Sequence, residues 1–121
     1  MHREGSDPEN MSAEDFLCDF CHQPWSADRP FVEGHRGACI CGRCLTLAFA
    51  DLAIHFVSDQ LREGEACTLC LEPKPDAAHW RSPAFENTIA CVNCVKRAAG
   101  VLHKDEDVDW RKPDRAIDTP E

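Results

Sequence analysis

Cysteine is the residue type that sets the chemistry of this 121-residue chain, and eight of its nine cysteines form four C-x-x-C pairs. Two residues between two cysteines let a tight turn direct both sulfurs at one point, and two such turns supply a tetrahedral Zn²⁺ site. The sequence therefore predicts two zinc ions per chain. The predicted ligands are Cys18, Cys21, Cys41 and Cys44 for one ion and Cys67, Cys70, Cys91 and Cys94 for the other.

Four protein ligands leave no coordination position for water or substrate, which is typical of structural rather than catalytic zinc. The sequence also lacks the glycine-rich loops that bind nucleotides and shows no nucleophile paired with a base. We therefore predict that the chain is not an enzyme, has no catalytic residue and uses no cofactor other than zinc.

The two halves of the chain repeat each other. An offset of 49 residues maps Cys18 onto Cys67, and an offset of 50 maps Cys41 onto Cys91 and Leu45 onto Val95. The one-residue difference falls between the cysteine pairs, where a loop can absorb it. Each half has only about 40–50 residues, a size at which metal commonly substitutes for a large hydrophobic core.

Helical segments follow the second cysteine pair of each half. Residues 42–62 contain no proline, and their only glycine is the first residue; residues 93–103 form a shorter apolar-polar pattern. The predicted fold is a small metal-stabilised α+β protein with two tandem treble-clef-like four-cysteine zinc modules, each a knuckle and hairpin followed by a helix. Cys44 and Cys94 then lie in the first turns of helices, where the positive helix end favours thiolates.

The predicted organisation has four parts. Residues 1–13 are polar and expected to be disordered, and residues 105–121 form an acidic and mixed tail with a lone Trp110. Between them lie the first zinc module with its long helix, residues 14–64, and the second with a short helix, residues 65–104. The tail either folds back with Trp110 covering a module, acts as a docking peptide, or is disordered.

The first predicted helix has two apolar faces, of which one suffices for packing on its own module. Three uses of the second face remain open: contact with the second module, a helix–helix seam in a homodimer, or a groove for another partner. The residues of this second face that would form the homodimer seam are Leu47, Ile54, Val57 and Leu61.

The ninth cysteine, Cys39, matches Ile89 in the repeat and is interpreted as a small buried apolar residue. Four histidines could in principle replace a thiolate ligand, but four cysteines already complete each site. They are interpreted as surface or neighbouring residues: His22, His35, His55 and His79.

The first module resembles the N-terminal four-cysteine zinc-binding domain of ClpX, the unfoldase partner of the ClpP protease. The residues that carry the resemblance are Cys18-Asp19-Phe20-Cys21, Phe31-Val32-Glu33-Gly34 and Ile40-Cys41-Gly42-Arg43-Cys44-Leu45-Thr46-Leu47. They cover about residues 16–55, and no ATPase domain accompanies them. The resemblance implies a treble-clef fold and a dimerising module that recognises proteins and adaptors. The sequence departs from the family at His22, where glycine is usual, and at Gly42-Arg43, where the pair is usually acidic.

Net charge separates the remaining function classes. The chain has 22 acidic and 13 basic side chains, a formal charge of −9, which repels nucleic-acid phosphates. We therefore favour a structural-zinc protein-interaction module that dimerises or acts as an adaptor or recognition factor for an unknown protein. The alternatives are a small nucleic-acid-binding zinc-finger regulator, based on scattered Arg and Lys residues, and a thiol redox sensor.

Location follows from what the sequence lacks. No run of about 18 apolar residues exists, so no membrane span is expected. The polar N-terminal residues do not form a secretion signal, and we expect a cytoplasmic protein with reduced thiols.

Overall fold

The computed structural model describes residues 1–7 and 9–113 and contains two antiparallel hairpins and two main helices. In the first half Phe31 pairs with Cys41, and in the second half His79 pairs with Cys91. The chain is thus a small α+β protein in which each hairpin leads directly into a helix. The elements are β1 (Phe31–Glu33), β2 (Cys39–Cys41), α1 (Gly42–Phe49), a π-helical turn (Ala50–Ile54), β3 (His79–Arg81), β4 (Ile89–Cys91) and α2 (Val92–Lys104).

The first cysteine pair of each half forms a tight turn, here called knuckle 1 (residues 18–21) and knuckle 2 (residues 67–70). The His22 N–H donates to the Cys18 carbonyl at 2.8 Å, and the Leu71 N–H donates to the Cys67 carbonyl at the same distance. His22 and Leu71 have positive φ angles of 60° and 64°. The repeat in the sequence is therefore a repeat in backbone conformation, with a non-glycine residue in the left-handed region at the end of both knuckles.

One hydrophobic core joins the two halves. The buried face of α1 contains Leu45 and Ala48, the buried face of α2 contains Val95 and Ala98, and all four belong to one cluster. These are equivalent positions in the repeat, so the two helices pack with matching faces. Leu45 and Ala48 belong to the apolar face that was expected to pack on its own module, and this face also packs on the second half of the chain, whereas Leu47 and Val57 of the second predicted face are exposed.

Hydrogen bonds at the knuckles hold the halves together in a nearly symmetric way. The His35 N–H, two residues after β1, donates to the Leu69 carbonyl of knuckle 2 at 2.7 Å. The equivalent residue after β3 is Pro83, which has no N–H. The hydroxyl of the preceding Ser82 donates instead to the Phe20 carbonyl of knuckle 1. Two different chemical groups thus make the same contact on the two sides.

The first helix is shorter than predicted, and the expected helical span to residue 62 is wrong. The helical path ends near His55; Phe56 has a φ of 55°, and the Val57 N–H donates to the Asp51 carbonyl at 2.8 Å. This is a helix-terminating pattern that usually has glycine at the left-handed position. No local breaker causes it. The chain that follows instead pairs with the edge of β3, where the Asp59 N–H donates to the His79 carbonyl at 2.7 Å.

The early end of the helix also corrects the predicted dimer seam. Leu47 lies in α1 and Ile54 in the π-helical turn, whereas Val57 and Leu61 lie beyond the helix. The four side chains do not form one helical face. Dimerisation through these residues stays a prediction, but the continuous helical face on which it was based is not present.

The second helix covers the predicted residues 93–103 and one further residue at each end. Its N-cap is Cys91. Among the described residues, no helix is both long and apolar enough to cross a bilayer.

The N-terminal residues are paired with the rest of the first half, in contrast to the disorder expected for residues 1–13. His2 forms an antiparallel bridge with Phe16, and the Leu17 N–H donates to the Met1 carbonyl at 2.7 Å. These are mainly backbone contacts, which leave little signature in side-chain composition.

Trp110 folds back onto the start of α1, as one interpretation of the tail expected. Its indole Nε1 donates to the Gly42 carbonyl at 2.9 Å and to the Thr46 hydroxyl at 2.8 Å. A Cβ on Gly42 would lie 3.0 Å from the indole ring, so the missing side chain makes room for it. Residues 114–121 of the predicted tail lie outside the described residues.

Arg81 fastens the connecting segment to the second half. Its guanidinium donates to both Glu65 carboxylate oxygens at 2.8 Å and to Asp59 at 2.7 Å. The Arg81 side chain is only 9% exposed. Hydrogen bonds from Arg81, and then from the Arg62 N–H, lower the pKa of Glu65 to about 2.

Replacing Gly34 by alanine should loosen the contact between the halves. A Cβ at this position would overlap the carbonyl of Leu69. We expect Gly34→Ala to lower the free energy of unfolding by about 2 kcal/mol, in the range of overpacked sites. Gly100→Ala is the matched control, because a Cβ there meets nothing within 4 Å and α2 gains helix propensity. Chemical denaturation of both zinc-loaded variants measures the difference; equal effects would contradict this view of the interface.

Replacing Arg81 should lower the melting temperature by an amount that is constant between about pH 8 and pH 5. The folded pKa of Glu65, about 2, lies below its unfolded value of about 4.3. Its contribution to stability is therefore complete above that unfolded value and is lost only as pH falls toward the folded pKa. Thermal melts of Arg81→Gln across this range test the expectation, with Arg62→Gln as control because its ion pair with Glu86 is exposed and 3.9 Å long. A difference that shrinks between pH 7 and pH 5 would contradict it.

Candidate metal centres

The eight predicted sulfurs come together as two clusters in the predicted sets of four. Within each cluster all four sulfurs lie within 4.8 Å of one another. In the first cluster the Sγ atoms of Cys18 and Cys44 are 4.0 Å apart, and those of Cys21 and Cys41 are 3.7 Å apart. In the second, Cys70 and Cys91 are 3.9 Å apart.

These separations fit a tetrahedral metal ion. Zn–S bonds of about 2.3 Å in a regular tetrahedron place the sulfurs about 3.8 Å from one another. The three distances above, 3.7, 3.9 and 4.0 Å, lie close to that value, and all the others are within 4.8 Å. Each cluster therefore has the geometry to hold one metal ion with four thiolate ligands.

The second ligand pair of each site spans a helix start. Cys41 is the N-cap of α1, and its sulfur accepts a hydrogen bond from the Cys44 N–H at 3.4 Å. Cys91 is likewise the N-cap of α2, with Cys94 in its first turn. Negative charge on these sulfurs is favoured by the helix dipole and by the unpaired N–H groups of the first turn.

Backbone N–H groups also point at the first ligand of each site. The Sγ of Cys18 accepts from the Phe20 and Cys41 N–H groups, each at 3.3 Å. The Sγ of Cys67 accepts from the Cys91 N–H at 3.3 Å and from the Cys70 N–H at 3.5 Å. Cys18 and Cys67 are fully buried, and these bonds offset part of the cost of burying a thiolate.

The pKa values of the thiols diverge within each cluster. Hydrogen bonds from the Cys18 and Cys44 thiols lower the pKa of Cys41 to about 4, and one from Cys94 lowers that of Cys67 to about 4. The pKa values of Cys44 and Cys94 are raised, first by the same hydrogen bonds and then by burial. A divalent cation that binds all four sulfurs must displace the remaining protons.

Cys39 stands apart from both clusters, in agreement with the interpretation of a buried apolar position. Its thiol donates to the Leu17 carbonyl at 3.1 Å, and burial raises its pKa to about 11. In the described part of the chain, neither cluster includes a histidine. His79 is the most buried of the four predicted non-ligand histidines, and its Nδ1 lies 2.8 Å from the Ala77 carbonyl.

Sequence reasoning missed two residues that align the ligand pairs. The Asp19 carboxylate accepts from the Cys39 N–H at 3.0 Å, and the Thr68 hydroxyl accepts from the Ile89 N–H at 3.1 Å. Each ties its knuckle to the strand whose last residue, Cys41 or Cys91, is the first cysteine of the second pair. Both occupy the second position of a C-x-x-C motif and are 49 residues apart, so the repeat offset could have identified them as a pair of acceptors.

No family model, curated protein or solved structure matches this chain. What carries over from the ClpX-type resemblance is thus the four-cysteine arrangement, present twice.

We expect two zinc ions per wild-type chain and one in either Cys44→Ser or Cys94→Ser, because a hydroxyl is a poor substitute for a thiolate ligand. Cys39→Ala is the control and should keep two, since Cys39 belongs to neither cluster. Native mass spectrometry of zinc-supplemented protein gives the count. A wild type with fewer than two ions, or a Cys39→Ala variant with one, would contradict the assignment.

Proposed function

We propose that this chain is a structural-zinc module that recognises another protein and has no catalytic activity. Two treble-clef-like modules, each with a closed Cys₄ zinc site, form one rigid unit whose outer surface contacts the partner. The proposal places it in a reducing, cytoplasmic environment, in keeping with nine unpaired cysteines. Its role is that of an adaptor or recognition factor.

Phe56 is the single residue that most supports a protein partner. Its side chain is 83% exposed, and its backbone has a φ of 55°, where glycine is the favoured residue. The exposed ring gains little from packing within the chain, and the left-handed backbone costs a non-glycine residue about 1 kcal/mol. Contact with a second protein explains a large aromatic side chain here. The adjacent Val57 is also exposed and extends the apolar surface.

The two alternative functions have less support. A formal charge of −9 opposes binding to a polyanion. A redox sensor requires a thiolate that is accessible to oxidant, whereas most of the candidate ligands and Cys39 are buried.

The double variant Phe56→Gly/Val57→Ser tests the proposal. Glycine suits the left-handed position, so the variant should retain two zinc ions and equal or slightly higher stability while losing its partner. Affinity purification with quantitative mass spectrometry compares the two proteins, and sedimentation reveals whether the partner is a second copy. Val101→Ser, another exposed apolar residue, is the control. Unchanged recovery of the same proteins by the double variant would contradict the proposal, as would tight binding to duplex DNA at low salt.

A further inference from the structure

A groove beside the exposed face of α1 contains two arginines, which is unusual in a chain with an excess of acidic residues. It has a volume of about 290 Å³ and lies between knuckle 1, the start of α1 and the segment after β3. Arg29, Arg43 and Leu47 line it together with Pro83 and with Cys21 and Cys44, two members of the first sulfur cluster, and no carboxylate is among its lining residues. Both halves of the chain contribute to it, so it exists only in the assembled fold.

Both guanidinium groups of the groove lack an acidic partner. No described carboxylate lies within 4.0 Å of Arg29 or Arg43, although the chain has nine more acidic than basic side chains. Asp28 and Asp109 line the neighbouring hollow beside Trp110, which Arg43 also borders. The two guanidinium groups lie beside the sulfurs of Cys21 and Cys44, and their N–H groups that pair with no carboxylate can bind an added anion.

The two arginine side chains differ in how firmly they are held. Arg29 is half-buried, and its Nη1 donates to the Pro24 carbonyl at 3.0 Å, which fixes the guanidinium. Arg43 is exposed and has no such bond, so it can adjust to a ligand. Leu47 lies one helical turn after Arg43 and is 42% exposed, which places an apolar contact beside the charge.

The helix itself does not explain Arg43. It is the second residue of α1, where the helix dipole favours acidic side chains. The equivalent positions in α2 are Asn93 and, for Leu47, Arg97. The combination of arginine followed by an apolar residue is therefore peculiar to the first half and is not imposed by the repeated fold.

We propose that this groove binds an acidic peptide segment of a partner protein, with a carboxylate held between Arg29 and Arg43 and a neighbouring apolar side chain packed on Leu47. Arginine binds carboxylates through paired N–H groups, which suits a carboxylate lying between two guanidiniums. The inference rests on the proposed role in protein recognition but uses a surface separate from Phe56.

A peptide fits the site better than a nucleic acid does. The basic surface is limited to two arginines beside an apolar floor, and a longer polyanion would meet the negative charge of the rest of the chain. A short acidic segment with one apolar residue satisfies both the charge and the apolar contact.

Fluorescence anisotropy with a labelled octapeptide of alternating glutamate and leucine tests the proposal on the zinc-loaded full chain. We expect saturable binding that weakens on the order of tenfold in Arg43→Ala and in Arg29→Ala, as for the loss of one charged hydrogen bond. Arg97→Ala is the matched control: it removes the same charge from an exposed position of the second helix and should leave affinity unchanged. The same peptide with glutamine in place of glutamate should bind at least tenfold more weakly.

Three results would overturn the proposal. Equal binding of the glutamate and glutamine peptides would remove the role of the carboxylate. A labelled oligonucleotide that binds more tightly than the peptide and depends on Arg43 would assign the groove to nucleic acid. A loss of zinc in Arg43→Ala, with peptide binding unaffected once zinc is restored, would show that Arg43 only balances the thiolate charge. Because Phe56→Gly/Val57→Ser leaves the groove intact, failure at one surface is distinguishable from failure at the other.

Discussion

Four thiolates within 4.8 Å of one another repel strongly unless a cation lies between them, and each half of this chain is arranged around that requirement. The hairpin places one ligand at its last strand residue, the helix provides its positive end, and the knuckle directs backbone N–H groups at the buried sulfur of Cys18 or Cys67. Every element of a half meets at its sulfur cluster. The strands and helices are short, and the four-cysteine cluster, which could hold a metal ion, lies where the knuckle, the last strand and the helix start meet.

The two halves pack against each other around one shared hydrophobic core. Leu45 and Ala48 of one helix and Val95 and Ala98 of the other form the centre of the common core. The knuckles reinforce this contact, since the carbonyls of Phe20 and Leu69 each accept a hydrogen bond from the opposite half. The sulfur clusters and the shared core are thus connected through the same turns.

Residue type and spacing predicted the cluster membership, because a C-x-x-C turn is a local structure and its pairing partner is marked by the repeat. The second helix was equally predictable from its apolar pattern. The end of the first helix was not, since residues 56–62 contain no local breaker and depart from the helix only to reach the edge of β3 and the guanidinium of Arg81. The pairing of the N-terminal residues and the Ser82–Phe20 contact also depend on tertiary neighbours. Such contacts leave no periodic signal in a single sequence.

In the second half the Ser82 hydroxyl makes the hydrogen bond that the His35 N–H makes in the first half, because the counterpart of His35 is Pro83. This difference has a consequence for which substitutions each half can accept. In a dimer of identical subunits, any substitution appears on both sides of the axis, and a proline that removes an interface hydrogen bond removes two. Here the two halves are separate segments of one chain. A hydrogen bond that is lost in one half can therefore be replaced there by another group, while the other half keeps its original contact. The same freedom allows Gly42 to seat Trp110 while its counterpart Val92 seats no such ring in the described chain. Covalent linkage thereby turns a two-fold arrangement into a molecule with two distinct faces.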